Sequence, residues 1–209
     1  MKCPNCGFDN RDTAIFCNQC GRQLVAPAST NQGIQAIALP NDTLLQGRYR
    51  IQSAIKQGGM GTIYLAQDTR FSTRTCAVKE MLDTFTSPNE RADAVRRFEQ
   101  ESDILAALQH PNIISVLDRF TEGQRHYLVM PFIKGRSLEE HLVELGGAAS
   151  EAKVIEWALC ICDVLEYLHS QQPPIIYRDL KPSNIMVTDT GRLILIDFGI
   201  ARNFAPSAQ

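Results

Sequence analysis

Asp179-Leu180-Lys181-Pro182-Ser183-Asn184 and, thirteen residues beyond the asparagine, Asp197-Phe198-Gly199 are the segments whose reading decides this fold. Asp179 and Lys181 lie two apart on a proline-containing loop, so both side chains can face one cavity, and Asn184 adds a neutral amide oxygen suited to a hard cation. Leu193-Ile194-Leu195-Ile196 reads as a buried strand that delivers Asp197 as an anionic ligand. Gly199 behind it gives the backbone freedom for a sharp exit. A carboxylate ending an apolar strand is expensive unless partnered. Transfer of a γ-phosphoryl group asks for a carboxylate to accept a hydroxyl proton, a cation beside the phosphate and oxygen ligands for magnesium. An ordinary hairpin with surface Asp and Asn explains each residue singly but not the set.

Together these residues make the chain resemble a eukaryotic-type serine/threonine protein kinase of the bacterial sort. The resemblance implies that Asp179 is the base, that Lys181 works beside it, and that Asn184 and Asp197 hold Mg2+ or Mn2+ with ATP. It also directs the search upstream. Lys79, in the strand-like Thr75-Cys76-Ala77-Val78-Lys79-Glu80, resembles the lysine that grips the α and β phosphates. Ser87-Pro88-Asn89-Glu90 reads as a helix start with a capping box and proline at the first helical position. From there Ala94, Phe98, Glu101, Leu105 and Leu108 share one helical face. Glu101 interrupts that apolar stripe. A carboxylate there needs a cation, and the resemblance nominates Lys79, whereas Glu99 points about 100° away from its stripe neighbour Phe98. The bland alternative is a glutamate snorkelling at the stripe's margin.

Ile55-Lys56-Gln57-Gly58-Gly59-Met60-Gly61-Thr62-Ile63 resembles the kinase glycine loop, with Gly58 and Gly61 letting backbone N–H groups approach phosphate oxygens. The family's first glycine is Lys56 here, which implies weaker loop closure with an ammonium near the phosphates. Arg125-His126-Tyr127-Leu128-Val129-Met130 runs into Pro131-Phe132-Ile133, similar to the hinge between kinase lobes. Met130 is then the gatekeeper, Pro131 offers its carbonyl as acceptor to the adenine and Ile133 donates its N–H, while Ile55, Ile63, Ala77 and Met186 sandwich the ring. Tyr177 stands where the family has His before Arg178-Asp179, its hydroxyl serving as the polar handle. Arg178 resembles an arginine that reads an activation-segment phosphate, and Lys181-Pro182-Ser183-Asn184 points to serine or threonine substrates.

The implied fold is α+β, a protein-kinase-like two-lobed arrangement over 48–209, with an antiparallel N-lobe sheet plus one helix over 48–133 and a partial helical C-lobe over 134–209. The family runs to roughly 250 residues or more, about a hundred beyond this region, and no Ala-Pro-Glu-like element follows Gly199. The expectation is therefore an incomplete C-lobe in which one side of the all-round apolar helix 151–170 stays wet. Activity of the chain by itself is set against a non-catalytic ATP-binding or adaptor module.

Cys3-Pro4-Asn5-Cys6 and Cys17-Asn18-Gln19-Cys20 form two C-x-x-C knuckles ten residues apart, followed by Gly7 and Gly21. Four thiolates at this spacing imply a structural Zn2+ site in residues 1–24, a small zinc ribbon whose folding is driven by the metal. Disulfides instead require an oxidising compartment, and the sequence shows no signal peptide. Residues 25–47 read as a flexible linker from their small polar composition. The chain carries 21 basic and 23 acidic residues and no apolar run near membrane length. No nucleic acid or membrane partner is expected, the cell compartment is read as cytoplasmic, and the ribbon is assigned to protein contact. Cys76, Cys160 and Cys162 read as small core residues.

Overall fold

The computed structural model describes residue 2 and residues 38–58, 61–71, 73–81, 87–198 and 202–203. The chain divides into two units between residues 35 and 36. Cys3, Cys6, Cys17 and Cys20, and the linker expectation over 25–37, lie outside the described residues.

Alternating residues build the first sheet. β1 (Leu44–Leu45), β2 (Tyr49–Gly58), β3 (Gly61–Asp68), β4 (Thr75–Met81), β5 (Asp118–Glu122) and β6 (Arg125–Pro131) are all paired antiparallel in the order β1-β2-β3-β4-β6-β5. On β3, Thr62, Tyr64, Ala66 and Asp68 are buried while the residues between them are half-buried, the period of two that assigns alternate side chains to opposite faces. Tyr64 and Ala66 join Tyr49, Ile51, Cys76, Val78, Tyr127 and Val129 in one apolar cluster. Ala77 and Lys79 of β4 alternate with Cys76 and Val78 and so turn to the other face.

Part of the segment read as linker is built into this sheet. Leu45 is buried, Ala38 and Leu39 pack against the cluster, and Leu39 N donates to Tyr64 Oη at 3.0 Å. Small polar composition reports local preference only, and these residues owe their order to an apolar sheet face remote in sequence.

α1 (Pro88–Ala107) starts at Ser87, whose Oγ accepts from Asn89 N at 3.3 Å. This single bond takes the place of the expected capping box with Glu90 and still satisfies one orphan amide. Phe98, Glu101, Ser102 and Leu105 are its buried residues, with Ala94 packed partly against the same core. Burial of a Phe or Leu side chain contributes about 1.5–3 kcal/mol, which fixes the helix against the sheet.

Beyond β6 come β7 (Gly135–Ser137), α2 (Leu138–Glu144), α3 (Glu151–His169), β8 (Ile175–Ile176), a 3-10 turn (Pro182–Asn184), β9 (Ile185–Thr188), β10 (Leu193–Leu195) and β11 (Arg202–Asn203). β7, β9 and β10 form a small sheet in the order β10-β9-β7, and β11 pairs with β8. Trp157, Val164 and Leu168 of α3 join Tyr177, Leu195 and Phe198 in a core continuous with Phe98, Leu105 and Leu128. The rest of α3 is partly wet, with Val154 49%, Ile155 51% and Leu159 66% exposed. Cys76 is buried and Cys160 half-buried, but Cys162 is exposed and is not a core residue. It lies two positions from buried Val164, about 200° round the helix.

Candidate active site

Two neighbouring groups of side chains make up the site. In the first, mid-sheet Lys79, paired in register with Ile63 and Leu128, extends to α1. Its Nζ lies 2.7 Å from Glu101 Oε1 and 3.5 Å from Asp197 Oδ1. Burial by itself lowers the Lys79 pKa, but the Glu101 and Asp197 carboxylates outweigh it and hold the ammonium above its usual range. Burial pushes the Glu101 carboxyl up, with Lys79 opposing. One cation between two carboxylates is thus the form the fold favours, and Glu101 rather than Glu99 is the partner.

The second group sits on the loop after β8. Lys181 Nζ meets Asp179 Oδ2 at 2.7 Å, and Asn184 Nδ2 donates to Asp179 O at 3.0 Å and Oδ2 at 2.9 Å. The Lys181 hydrogen bond, more than its burial can oppose, holds the Asp179 carboxyl below the usual carboxylate range, and Asn184 adds to it. Asn184 is buried, and with its amide nitrogen committed to Asp179 it has a carbonyl oxygen left for a cation. Ile196 N donates to Asn184 O at 3.1 Å, which ties the residue before Asp197 to this loop and joins the two groups.

Arg178 holds φ 64°, a left-handed conformation uncommon for a residue with a side chain, while Asp179 N donates to Tyr177 O across it at 2.9 Å. Tyr177 is buried and packs edge-on against Phe198, ring centroids 4.9 Å apart. Its hydroxyl finds no hydrogen-bond partner among the described residues, so the expected polar handle is replaced by ring packing. Burial raises its pKa above the ordinary tyrosine value.

A cleft of about 530 Å³ opens beside these groups. Ile55, Ile63 and Ala77 line it from β2, β3 and β4, Met186 from β9, and Met130, Pro131 and Ile133 from β6 and the segment after it. Gly58 and Gly61 face each other at the end of the β2–β3 hairpin, Gly61 at φ +126°. Gly135, just past Ile133, is required sterically: a Cβ there would lie 2.1 Å from Val187 O. Sequence reasoning passed over Ser137 and Glu140, which line the same cleft and close a capping box on α2. The Ser137-Leu138-Glu139-Glu140 pattern was the signal that could have found them.

Among the described residues no cluster of three or more His, Cys, Asp or Glu could hold a metal ion. A cation here would rest on Asp197 and Asn184 with oxygens from a ligand, the manner in which Mg2+ is bound with phosphates rather than in a protein cage. The residues present fit that role.

Comparison with known proteins gives the arrangement its family. Residues 49–209 match the protein kinase domain, and residues 2–24 match the zinc-ribbon domain. The chain belongs to the protein kinase domain family. Serine/threonine-protein kinase B of Synechocystis sp. is 33% identical over 180 residues, covering 85% of this chain and 31% of that protein. Serine/threonine-protein kinase C of the same organism is 39% identical, over 76% of this chain and 30% of its own length. Serine/threonine-protein kinase PrkC of Bacillus subtilis is 35% identical, over 75% and 23% respectively. The chain thus spans about a quarter to a third of the length of these curated relatives. The solved PpkA-294 apo form has the same fold, with a TM-score of 0.68 at 25% identity, over 78% of this chain and 62% of that one. No helix among the described residues is long and apolar enough to cross a membrane.

Proposed function

We propose that this chain carries a serine/threonine protein kinase activity, transferring the γ-phosphoryl group of Mg-ATP to a protein hydroxyl. The observation that carries the reading is the convergence of Lys79, Glu101 and Asp197 with Asp179, Lys181 and Asn184, six residues from four separate places in the sequence, beside one apolar cleft. The names of the relatives point the same way. Asp179, ionised at neutral pH, takes the proton from the incoming serine or threonine hydroxyl as its oxygen bonds to phosphorus and ADP leaves. Lys181 keeps that carboxylate charged and oriented. Lys79, fixed by Glu101, presents its ammonium to the phosphates, and Asn184 and Asp197 offer oxygens to magnesium. Bound Mg2+ supplies neutralisation of phosphate charge. Met130, Pro131 and Ile133 border the cleft where an adenine would lie. The test is phosphate incorporation from radiolabelled ATP into a generic basic protein. Asp179→Asn is expected to lower it about 10²–10⁴-fold, and equal turnover in both proteins would sink the reading.

The amino-terminal residues 1–24 are proposed as a structural zinc site with Cys3, Cys6, Cys17 and Cys20 as ligands and a protein partner as its target, in a cytoplasmic protein. The zinc-ribbon match and the two knuckles support this. Metal analysis is expected to give one zinc per chain, lost when Cys3 and Cys6 are both replaced by serine; a zinc-free wild-type protein refutes it.

A further inference from the structure

The register of β2 against β3 shifts between Ala54 and Lys56, and past this irregularity both Ile55 and Lys56 reach the cleft. Such bulges re-aim side chains beside sites. Lys56 therefore brings a cation on a flexible four-carbon stem to the lining of the cleft. The same cleft is lined from β7 and the first turn of α2, where Arg136, Glu139 and Glu140 are exposed. Glu140 is held still: its Oε2 accepts from Ser137 N at 2.8 Å and from Ser137 Oγ at 2.9 Å. These two bonds, and after them the charges of Lys56 and Arg136, keep its carboxyl below the usual range. Arg136 is already ion-paired with Glu144. One cleft is thus lined by a fixed anion and by a reachable cation whose charge acts on it, with glycines at the hairpin end to allow movement.

We propose that Lys56 and Glu140 form a clasp: when the β2–β3 hairpin closes over a bound nucleotide, the Lys56 ammonium meets the Glu140 carboxylate and slows nucleotide release. This rests on the nucleotide-binding reading of the cleft. The pair consists of positioning residues and not catalytic ones. It replaces by charge attraction some of the closure that a glycine at position 56 would allow by backbone freedom.

The test is the affinity and dissociation rate of a fluorescent Mg-ATP analogue with the full chain, at low and high salt, in wild type, Lys56→Gln, Glu140→Gln, the double variant and Lys56→Arg. Glutamine at 140 keeps the capping box, so α2 stays intact. Each single glutamine variant is expected to speed dissociation about two- to five-fold, the size of a solvent-exposed ion pair. The double variant adds nothing to either, Lys56→Arg restores the wild-type rate, and high salt erases the differences. Additive effects, or a Glu140→Gln protein that releases nucleotide at the wild-type rate while Lys56→Gln does not, would assign Lys56 to the phosphates and overturn the clasp alone. A wild-type chain that fails to bind the analogue overturns both the clasp and the kinase reading.

Discussion

Lys79 shows why a buried ion pair belongs at a site rather than in a core. Replacing such pairs by apolar groups often costs nothing, whereas removing one partner costs about 3–5 kcal/mol because the other charge is stranded. A second carboxylate, Asp197, at 3.5 Å makes the cation's presence still more necessary. Asp179 gives a pH prediction. Its carboxyl is lowered first by the Lys181 hydrogen bond, so Lys181→Ala should move the acid limb of kcat/KM to higher pH and cut kcat by about 10²-fold. A pH-rate profile decides it, and an unmoved acid limb would show that Asp179 is not the titrating base. By linkage, the lowered Asp179 pKa contributes stability above the ordinary carboxylate range, lost as pH falls through the folded-state value. The motif residues were readable because spacing along one loop or one helix face is local information. Cys162 and the Tyr177 hydroxyl were misjudged because their surroundings are set by the packing of α3 and Phe198, which no local pattern carries.

Among the elements, α1 was legible from its proline start and apolar stripe, and only the detail of its cap differed. β7 was not, since three residues without apolar alternation carry no strand signal. Its place is fixed by pairing with β9, which brings Gly135 opposite Thr188 and Arg136 opposite Val187. The Cβ of alanine at 135 would meet Val187 O at 2.1 Å and Thr188 Cα at 2.8 Å, both backbone atoms that move only with the strand. Gly135→Ala should therefore destabilise the protein by about 1–3 kcal/mol and loosen the cleft wall that runs from Ile133 to Glu140. A urea midpoint equal to that of wild type would show that β9 yields without cost.

For the molecule as a whole, one apolar cluster runs from Met81, Leu128 and Met130 of the sheet through α1 to α3, and the other lies on the sheet and is closed by residues 38–45. That closure is polar as well as apolar. Tyr64 Oη accepts from Leu39 N and donates to Glu80 Oε2 at 2.7 Å, while Arg125 Nη1 donates to Glu80 Oε1 at 2.7 Å. Tyr64→Phe should cost about 1–3 kcal/mol, as a buried carboxylate and a backbone amide each lose a partner. Denaturant titration with unchanged slope and lowered midpoint is the expected result; an unchanged midpoint would mean that the segment is not held there. The recognisable kinase sequence begins at residue 49, yet Leu39 and Leu45, ahead of it, shield Tyr49, Ile51 and Tyr64 from water. Excision at the edge of the family match would strip the outer sheet bare, leaving an oily surface beside the strand that bears Lys79, and a preparation cut there would clump or lose its grip on nucleotide for reasons unrelated to catalysis.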